Sequence, residues 1–315
     1  MKTLLSILLA SLSFTSLAQI PPRVMDELLL VASRPAPVPS YASFQVTTTT
    51  TNQSCIIAAL AVSSAMVVDW GDGNMNTYTG AGARTNTYAT NGTYTVKLMS
   101  PLLVTTFTIA DSKVTLNSSQ VASMVNVTDF EITTLKAGTF NSADVTAWRP
   151  TIFSLASMPN GFTGLLNTTD ISNWRPSFVY LRDMPVGYAG AFNSADISSW
   201  NPIGLNFRNM PTATFAFTIS GGGFASWTNC NSLSLAGDYL SQTQVNQILA
   251  DFYSGFTNRV QIGGTITLNG TGNAAPSGIL QSNCPPTSGK ETAYDLINDP
   301  CGINPTHKWA TILTN

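Results

Sequence analysis

Four tryptophans, Trp148, Trp174, Trp200 and Trp227, stand 26, 26 and 27 residues apart, and their neighbours repeat at the same interval. The run Phe140-Asn141-Ser142-Ala143-Asp144-Val145-Thr146-Ala147-Trp148 returns as Leu166-Asn167-Thr168-Thr169-Asp170-Ile171-Ser172-Asn173-Trp174. It returns again as Phe192-Asn193-Ser194-Ala195-Asp196-Ile197-Ser198-Ser199-Trp200. Leu155, Leu181 and Phe207 share one register downstream, and Met158, Met184 and Met210, each followed by Pro, share another. A repeat of this length cannot bury its own apolar face, so neighbours must stack and superpose like on like along one core. Three repeats are clear, at 140–165, 166–191 and 192–217, inside a solenoid expected over 111–240. A degenerate repeat with Met124 in the Trp place precedes them, and one with Trp227 and the insertion Gly221-Gly222-Gly223 closes them. Removing one buried indole, as in Trp174→Ala, is expected to cost about 3–5 kcal/mol by urea denaturation.

The polar columns read as structural. Asn141, Asn167 and Asn193 form a ladder whose amides serve backbone groups in the turns, and Asp144, Asp170 and Asp196 cap those same turns. Three aligned carboxylates leave calcium as an alternative use. Only 10% of the residues are charged, against about 25% in an average soluble domain. Ser, Thr, Asn and Gly carry the polarity, which suits strands and turns. A net charge of −2 offers no basic footprint for nucleic acid or an anionic membrane surface.

Upstream the pattern changes. Lys2, the apolar run Leu4–Phe14 and Ser16-Leu17-Ala18 compose a secretory signal over 1–18, and the proline-dense stretch 19–40 an extended linker with a short apolar helix at Met25–Ala32. From Tyr41 alternation points to strands. Trp70-Gly71-Asp72-Gly73 makes a tight turn, and Tyr88, Gly92 and Tyr94 belong to a turn feeding the strand that ends at Leu98. These two segments resemble the PKD family, with Thr87 where its usual His stands. That resemblance implies a seven-stranded immunoglobulin-like sandwich at 41–110.

The repeats, with Leu166–Trp174 and Leu181-Arg182-Asp183-Met184, resemble the BspA-like leucine-rich-repeat surface proteins. The fold expected is mainly β: a PKD-like sandwich, a short leucine-rich-repeat-like solenoid, and a small α/β cap at 241–315. The cap holds a Ser241/Gln244 capping box, a helix with Val245, Ile248, Leu249 and Phe252 inward, a strand at Gly263–Leu268 and a last one within Lys308–Leu313. Residues 284–301 read as an inserted loop. Four cysteines remain after the signal; Cys284 with Cys301 is the local pairing, while the pairing of Cys55 and Cys230 stays open.

No catalytic constellation is found. The single histidine, His307, has no nucleophile turn to serve, there is no CxxC for zinc, and Gly71-Asp72-Gly73 lacks the Lys-Ser/Thr of a phosphate loop. A non-enzymatic protein without metal or cofactor is therefore expected. If Phe153 with Leu155, Val179 with Leu181 and Leu205 with Phe207 point inward, then Phe178, Tyr180, Arg182, Asn206 and Arg208 point outward on adjacent repeats. Aromatic rings beside arginines have the composition of a binding patch. The expected function is adhesion to a surface protein or glycan by an exported, extracellular or surface-held protein without a membrane span. The alternative is a virion component, a phage fibre or decoration protein; a secreted hydrolase stands third.

Overall fold

The structure is a computed structural model and describes residues 41–315; the expected signal, linker and Met25–Ala32 helix lie outside the described residues. The chain forms a mainly β molecule with a β-solenoid of about 5 turns. Its N-terminal strands are antiparallel: β1 (Tyr41–Thr48), β2 (Gln53–Asp69), β3 (Met75–Tyr88), β4 (Gly92–Met99) and β5 (Val104–Ala110). β1 pairs along its whole length with β4, and β2 pairs in turn with β3, β4 and β5. Residues 41–110 thus hold five strands where seven were expected. The long β2 carries register breaks between Ile57 and Leu60 and between Val62 and Met66, where a bulge can bend a strand so that it serves more than one partner.

The change to a solenoid happens within single strands. β5 pairs antiparallel with β2 on one side and parallel with β7 (Asp129–Thr134) on the other. β6 (Val114–Asn117) likewise pairs antiparallel with β1 and parallel with β8 (Ala137–Asn141). From there two parallel columns run on. The first continues through β9 (Ile152–Ala156), β11 (Phe178–Arg182), β13 (Gly204–Asn206), β15 (Ser232–Ser234), β16 (Thr265–Thr267) and β17 (Thr311–Leu313). The second continues through β10 (Phe162–Asn167), β12 (Tyr188–Asn193) and β14 (Phe215–Thr218).

Pleat alternation then places the core. In the first column Phe107, Phe130, Phe153, Val179, Leu205, Leu233, Ile266 and Ile312 meet rung on rung, and the first seven are fully buried. Trp148, Trp174, Trp200 and Trp227 are buried, as is Met124 in the position ahead of them. Trp148 and Trp174 pack on phenylalanines of the first column: Trp148 lies 4.8 Å from Phe130 and Trp174 5.0 Å from Phe153, centroid to centroid. The segment expected as a turn, from Phe140 and its equivalents, is instead the end of a strand followed by a one-turn 3-10 helix, Ser142–Val145 in the first clear repeat.

A glycine column that shares the 26-residue period permits this second column. Gly138, Gly164 and Gly190 sit where an added Cβ would lie 2.1, 2.0 and 1.9 Å from the carbonyl oxygens of Leu116, Phe140 and Leu166. The contact is with backbone, which cannot swing aside, so successive strands approach this closely only at glycine.

The polar columns join rungs. Asp144, Asp170 and Asp196 accept hydrogen bonds from Ser118, Ser142 and Thr168 of the preceding rung, at 2.5, 2.5 and 2.9 Å. The same hydroxyls accept from the backbone N–H of Asn141, Asn167 and Asn193, each at 2.9 Å. This corrects the expectation that each Asp caps its own turn. The hydroxyl residues are buried, and the carboxylate that each meets is the next rung's. In the Asn column Asn193 serves its own turn as expected, accepting from Ala195 N–H at 3.1 Å, whereas Asn141 accepts from Leu165 N–H in the next rung's strand at 3.0 Å. Asn167 does not repeat either bond among the described residues.

The cap is α/β. Helix α1 (Gln242–Ser254) begins at Ser241 with the expected capping box and buries Val245, Ile248, Leu249 and Phe252. The stretch 284–301 is not a plain loop: it contains helix α2 (Gly289–Asn298), started by a second capping box of Ser288 and Glu291. The Cys284–Cys301 disulfide encloses it, and Cys55 and Cys230 are buried free thiols, both pushed up to about 12, first by burial.

Candidate functional site

The solenoid defines which side chains can meet a partner. Along β9, β11 and β13 the inward residues are fully buried, as alternation requires. The outward ones form a strip across three rungs. Phe178 pairs in register with Ile152 and Gly204, and Tyr180 with Ser154 and Asn206. The Phe178 and Tyr180 rings stack at 6.0 Å with 20° between their planes. Gly204 makes room for them, since a Cβ there would lie 3.0 Å from Phe178 Cδ1 and 3.5 Å from the Tyr180 hydroxyl. Burial raises the Tyr180 phenol above its ordinary value, with Glu131 adding to the rise and Arg182 opposing it.

Arg182 and Arg208 occupy equivalent places at the exposed ends of their rungs. The Arg182 carbonyl accepts from Ser157 N–H at 3.1 Å, and the Arg208 carbonyl from Asp183 N–H at 3.2 Å. Their side chains differ. Arg208 reaches Asp183 at 3.3 Å, whereas Arg182 has no carboxylate partner among the described residues. Asn206 uses its side-chain oxygen locally, accepting from Arg208 N–H at 3.1 Å, and so positions Arg208. The structure therefore brings Phe178, Tyr180, Arg182, Asn206 and Arg208 onto one surface, with the aromatic pair at one end and the arginines at the other.

At the corner beyond Arg182 and Arg208 the strip opens into a groove of about 300 Å³, lined by Val186, Asn209, Met210, Pro211, Thr212 and Tyr239 among others. Sequence reasoning missed it. The signal was there: the Met-Pro pair at 158–159, 184–185 and 210–211 becomes Asp238-Tyr239 in the next rung. Ser157, Asp183 and Asn209 ahead of these pairs are left-handed, at φ 56°, 55° and 55°, and Gly237 holds the same place at φ 75°.

The other motifs are structural. Trp70 is buried, its indole N–H donates to Asn76 at 3.0 Å, and its carbonyl accepts from the Tyr88 hydroxyl at 3.2 Å. Asp72 accepts from Asn74 N–H at 3.0 Å and from the Asn86 amide at 2.8 Å, and Tyr88 stacks on Tyr94 at 4.2 Å. Gly71 is left-handed at φ 80°, and a Cβ there would stand 2.5 Å from the Thr95 carbonyl oxygen. Gly73 is left-handed as well, and Gly92 starts β4 beside the Tyr94 ring. His307 sits half-buried in a turn with Thr306 and Asn304.

The repeated aspartates each meet a hydroxyl of the neighbouring rung. Among the described residues the group of three potential metal ligands that converges is Cys284, Asp295 and Cys301, whose sulfurs form the disulfide. Among the described residues no helix is long and apolar enough to cross a membrane.

Fold and surface together define a β-solenoid with an aromatic and arginine strip on one sheet face. Comparison with protein-family models, with curated proteins and with solved structures finds no match.

Proposed function

We propose that this chain is a non-catalytic recognition protein of the exported, surface-associated kind, which contacts a partner through the outward face of its first strand column. The observation that carries the reading is the coincidence of the stacked Phe178–Tyr180 pair with Arg182 and Arg208 on adjacent rungs. Large rings with little conformational freedom, beside guanidinium groups, are the side chains that dominate binding energy. The arginines at 149 and 175, by contrast, donate to carbonyls of their own turns and leave little for a partner. In this reading residues 41–110 are a PKD-like spacer, supported by the Trp70-Gly71-Asp72-Gly73 turn and its tie to Tyr88. The leucine-rich-repeat resemblance accounts for the sequence period, while the second strand column in each turn departs from a one-strand repeat.

The test is retention of residues 19–315 on a panel of bacterial cells and immobilised glycans, beside the Tyr180→Ala/Arg182→Ala double variant. Retention that the double variant loses by tenfold or more supports the reading. Equal retention by both removes the strip from consideration, and no retention on any surface favours an assembly role such as a virion component.

A further inference from the structure

We infer that the corner groove is a saccharide site and that Tyr239 is its platform. The inference rests on reading the repeats as the recognition part of the chain, and it names the class of ligand. Four observations meet at Tyr239.

First, it breaks the repeat. Three rungs place proline here, and the next places an aromatic residue. Second, its backbone is left-handed, at φ 58°, a conformation that costs an aromatic residue free energy and persists only where the surroundings enforce it. They do so here. The buried Asn273 side-chain oxygen accepts from the N–H of both neighbours, Asp238 at 3.1 Å and Leu240 at 2.9 Å. Asp238, buried as well, accepts from Met210 N–H at 3.0 Å. Third, Tyr239 is 59% exposed, although hydrophobic burial would favour the opposite. Fourth, the ring lies on Gly272: a Cβ at that glycine would fall 2.5 to 2.6 Å from Tyr239 Cγ, Cδ1 and Cδ2. One side of the ring is thus seated on backbone, and the ring lines the groove. The backbone at Tyr239 is braced into a conformation that proline cannot take, and the ring it carries is left exposed over the groove.

The groove indicates the ligand. Its volume is at the small end of the range for organic ligands, about 300–1,000 Å³. Val186 and Pro211 add apolar surface, and the exposed Thr212 hydroxyl and the Asn209 amide add hydrogen-bonding groups. Asn209 is oriented by Asp183, to which its amide donates at 2.8 Å, while Arg208 balances the Asp183 charge. An aromatic face with amide and hydroxyl groups beside it, and no net local charge, matches a sugar ring. The C–H face of a pyranose covers the phenol, and its hydroxyls meet the polar groups. An added peptide strand fits less well, because β13 and β15 are paired on both sides and present no free edge.

The test uses the full chain and a panel of glucose, mannose, galactose, N-acetylglucosamine and uronic acid oligosaccharides, first as an array and then by titration calorimetry with the retained one. Tyr239→Gly removes the ring while relieving the left-handed backbone, so the variant should fold at least as well as the parent. Asn209→Gly does the same for the amide. Saccharide binding weakened at least tenfold in both variants, and unchanged in Tyr78→Ala, is the expected result. Equal saccharide binding by Tyr239→Gly and the parent would overturn the assignment. If no saccharide is retained while cells or a protein partner are, the saccharide assignment falls and the recognition reading stands. If nothing is retained at all, both fall.

Discussion

Asp238 makes the stability of this solenoid depend on pH in a way that one substitution isolates. Its carboxyl replaces a methionine of the Met column, is 4% exposed, and has one oxygen without a hydrogen-bond partner. Burial pushes it from an ordinary value of 3.8 up to about 8, against the weaker opposing effect of the Met210 N–H. The folded state therefore holds a proton that the unfolded state has released throughout the interval between those values. Each pH unit in that interval is worth about 1.4 kcal/mol. Stability from this group is full below about pH 4, falls as pH rises toward 8, and is level above it. Between pH 5 and pH 8 the loss is about 4 kcal/mol. Asp238→Asn keeps the shape and an acceptor for Met210 but does not titrate. Urea denaturation of parent and variant at pH 5, 7 and 9 provides the assay, read by fluorescence of the six tryptophans, all of them buried. Taking the difference between the two proteins cancels every other titrating group. The variant should gain on the parent by about 4 kcal/mol from pH 5 to pH 9, or by less if the last rung opens on its own before the rest. Parallel curves with a constant offset, or a gap moving the other way, would refute the reasoning.

Three further outcomes follow from the rungs and the cap. Gly190→Ala must displace a rung, because its Cβ would lie 1.9 Å from a backbone oxygen. It should lower stability by at least about 1–3 kcal/mol in thermal melts, whereas Gly161→Ala, with nothing within 4 Å, should change little. Ser142→Ala leaves the Asp170 carboxylate and the Asn167 N–H without their shared partner. A loss of about 1–3 kcal/mol by urea denaturation is expected, with Ser142→Thr close to the parent because Thr168 fills the same place one rung on. Reducing the Cys284–Cys301 bridge, 17 residues apart, should cost about 3 kcal/mol in the chain-entropy model. Thiol titration of the native protein should find none reactive before reduction and two after, since Cys55 and Cys230 are buried.

Much of this molecule is legible in its sequence because a solenoid writes its core as a period. The spacing of Trp148, Trp174 and Trp200 alone requires stacked units, and the alternation at Phe153-Ser154-Leu155 and Val179-Tyr180-Leu181 assigns inward and outward faces. Ser241 with Gln244 marks the start of α1 by local hydrogen bonding, and Ser288 with Glu291 carried the same mark for α2 inside a stretch read as loop. The outward strip is legible for the same reason, since side-chain direction in a strand depends only on its neighbours in sequence.

Contacts between rungs were beyond a local reading. That Asp170 meets Ser142 of the rung before, rather than its own turn, follows from the rise between stacked strands, which no single repeat contains. That Gly164 and Gly190 permit a second column depends on the close approach of a neighbouring carbonyl. The groove at Tyr239 depends on three successive rungs meeting at one corner, and on Asn273, 34 positions further along the chain, bracing the turn. Period and alternation are written in the linear order of residues, so the sequence alone determined the stacked units, the core faces and the outward strip. Closeness between residues distant along the chain arises only when the rungs pack, so the tertiary structure decided which polar groups pair and where the surface becomes concave.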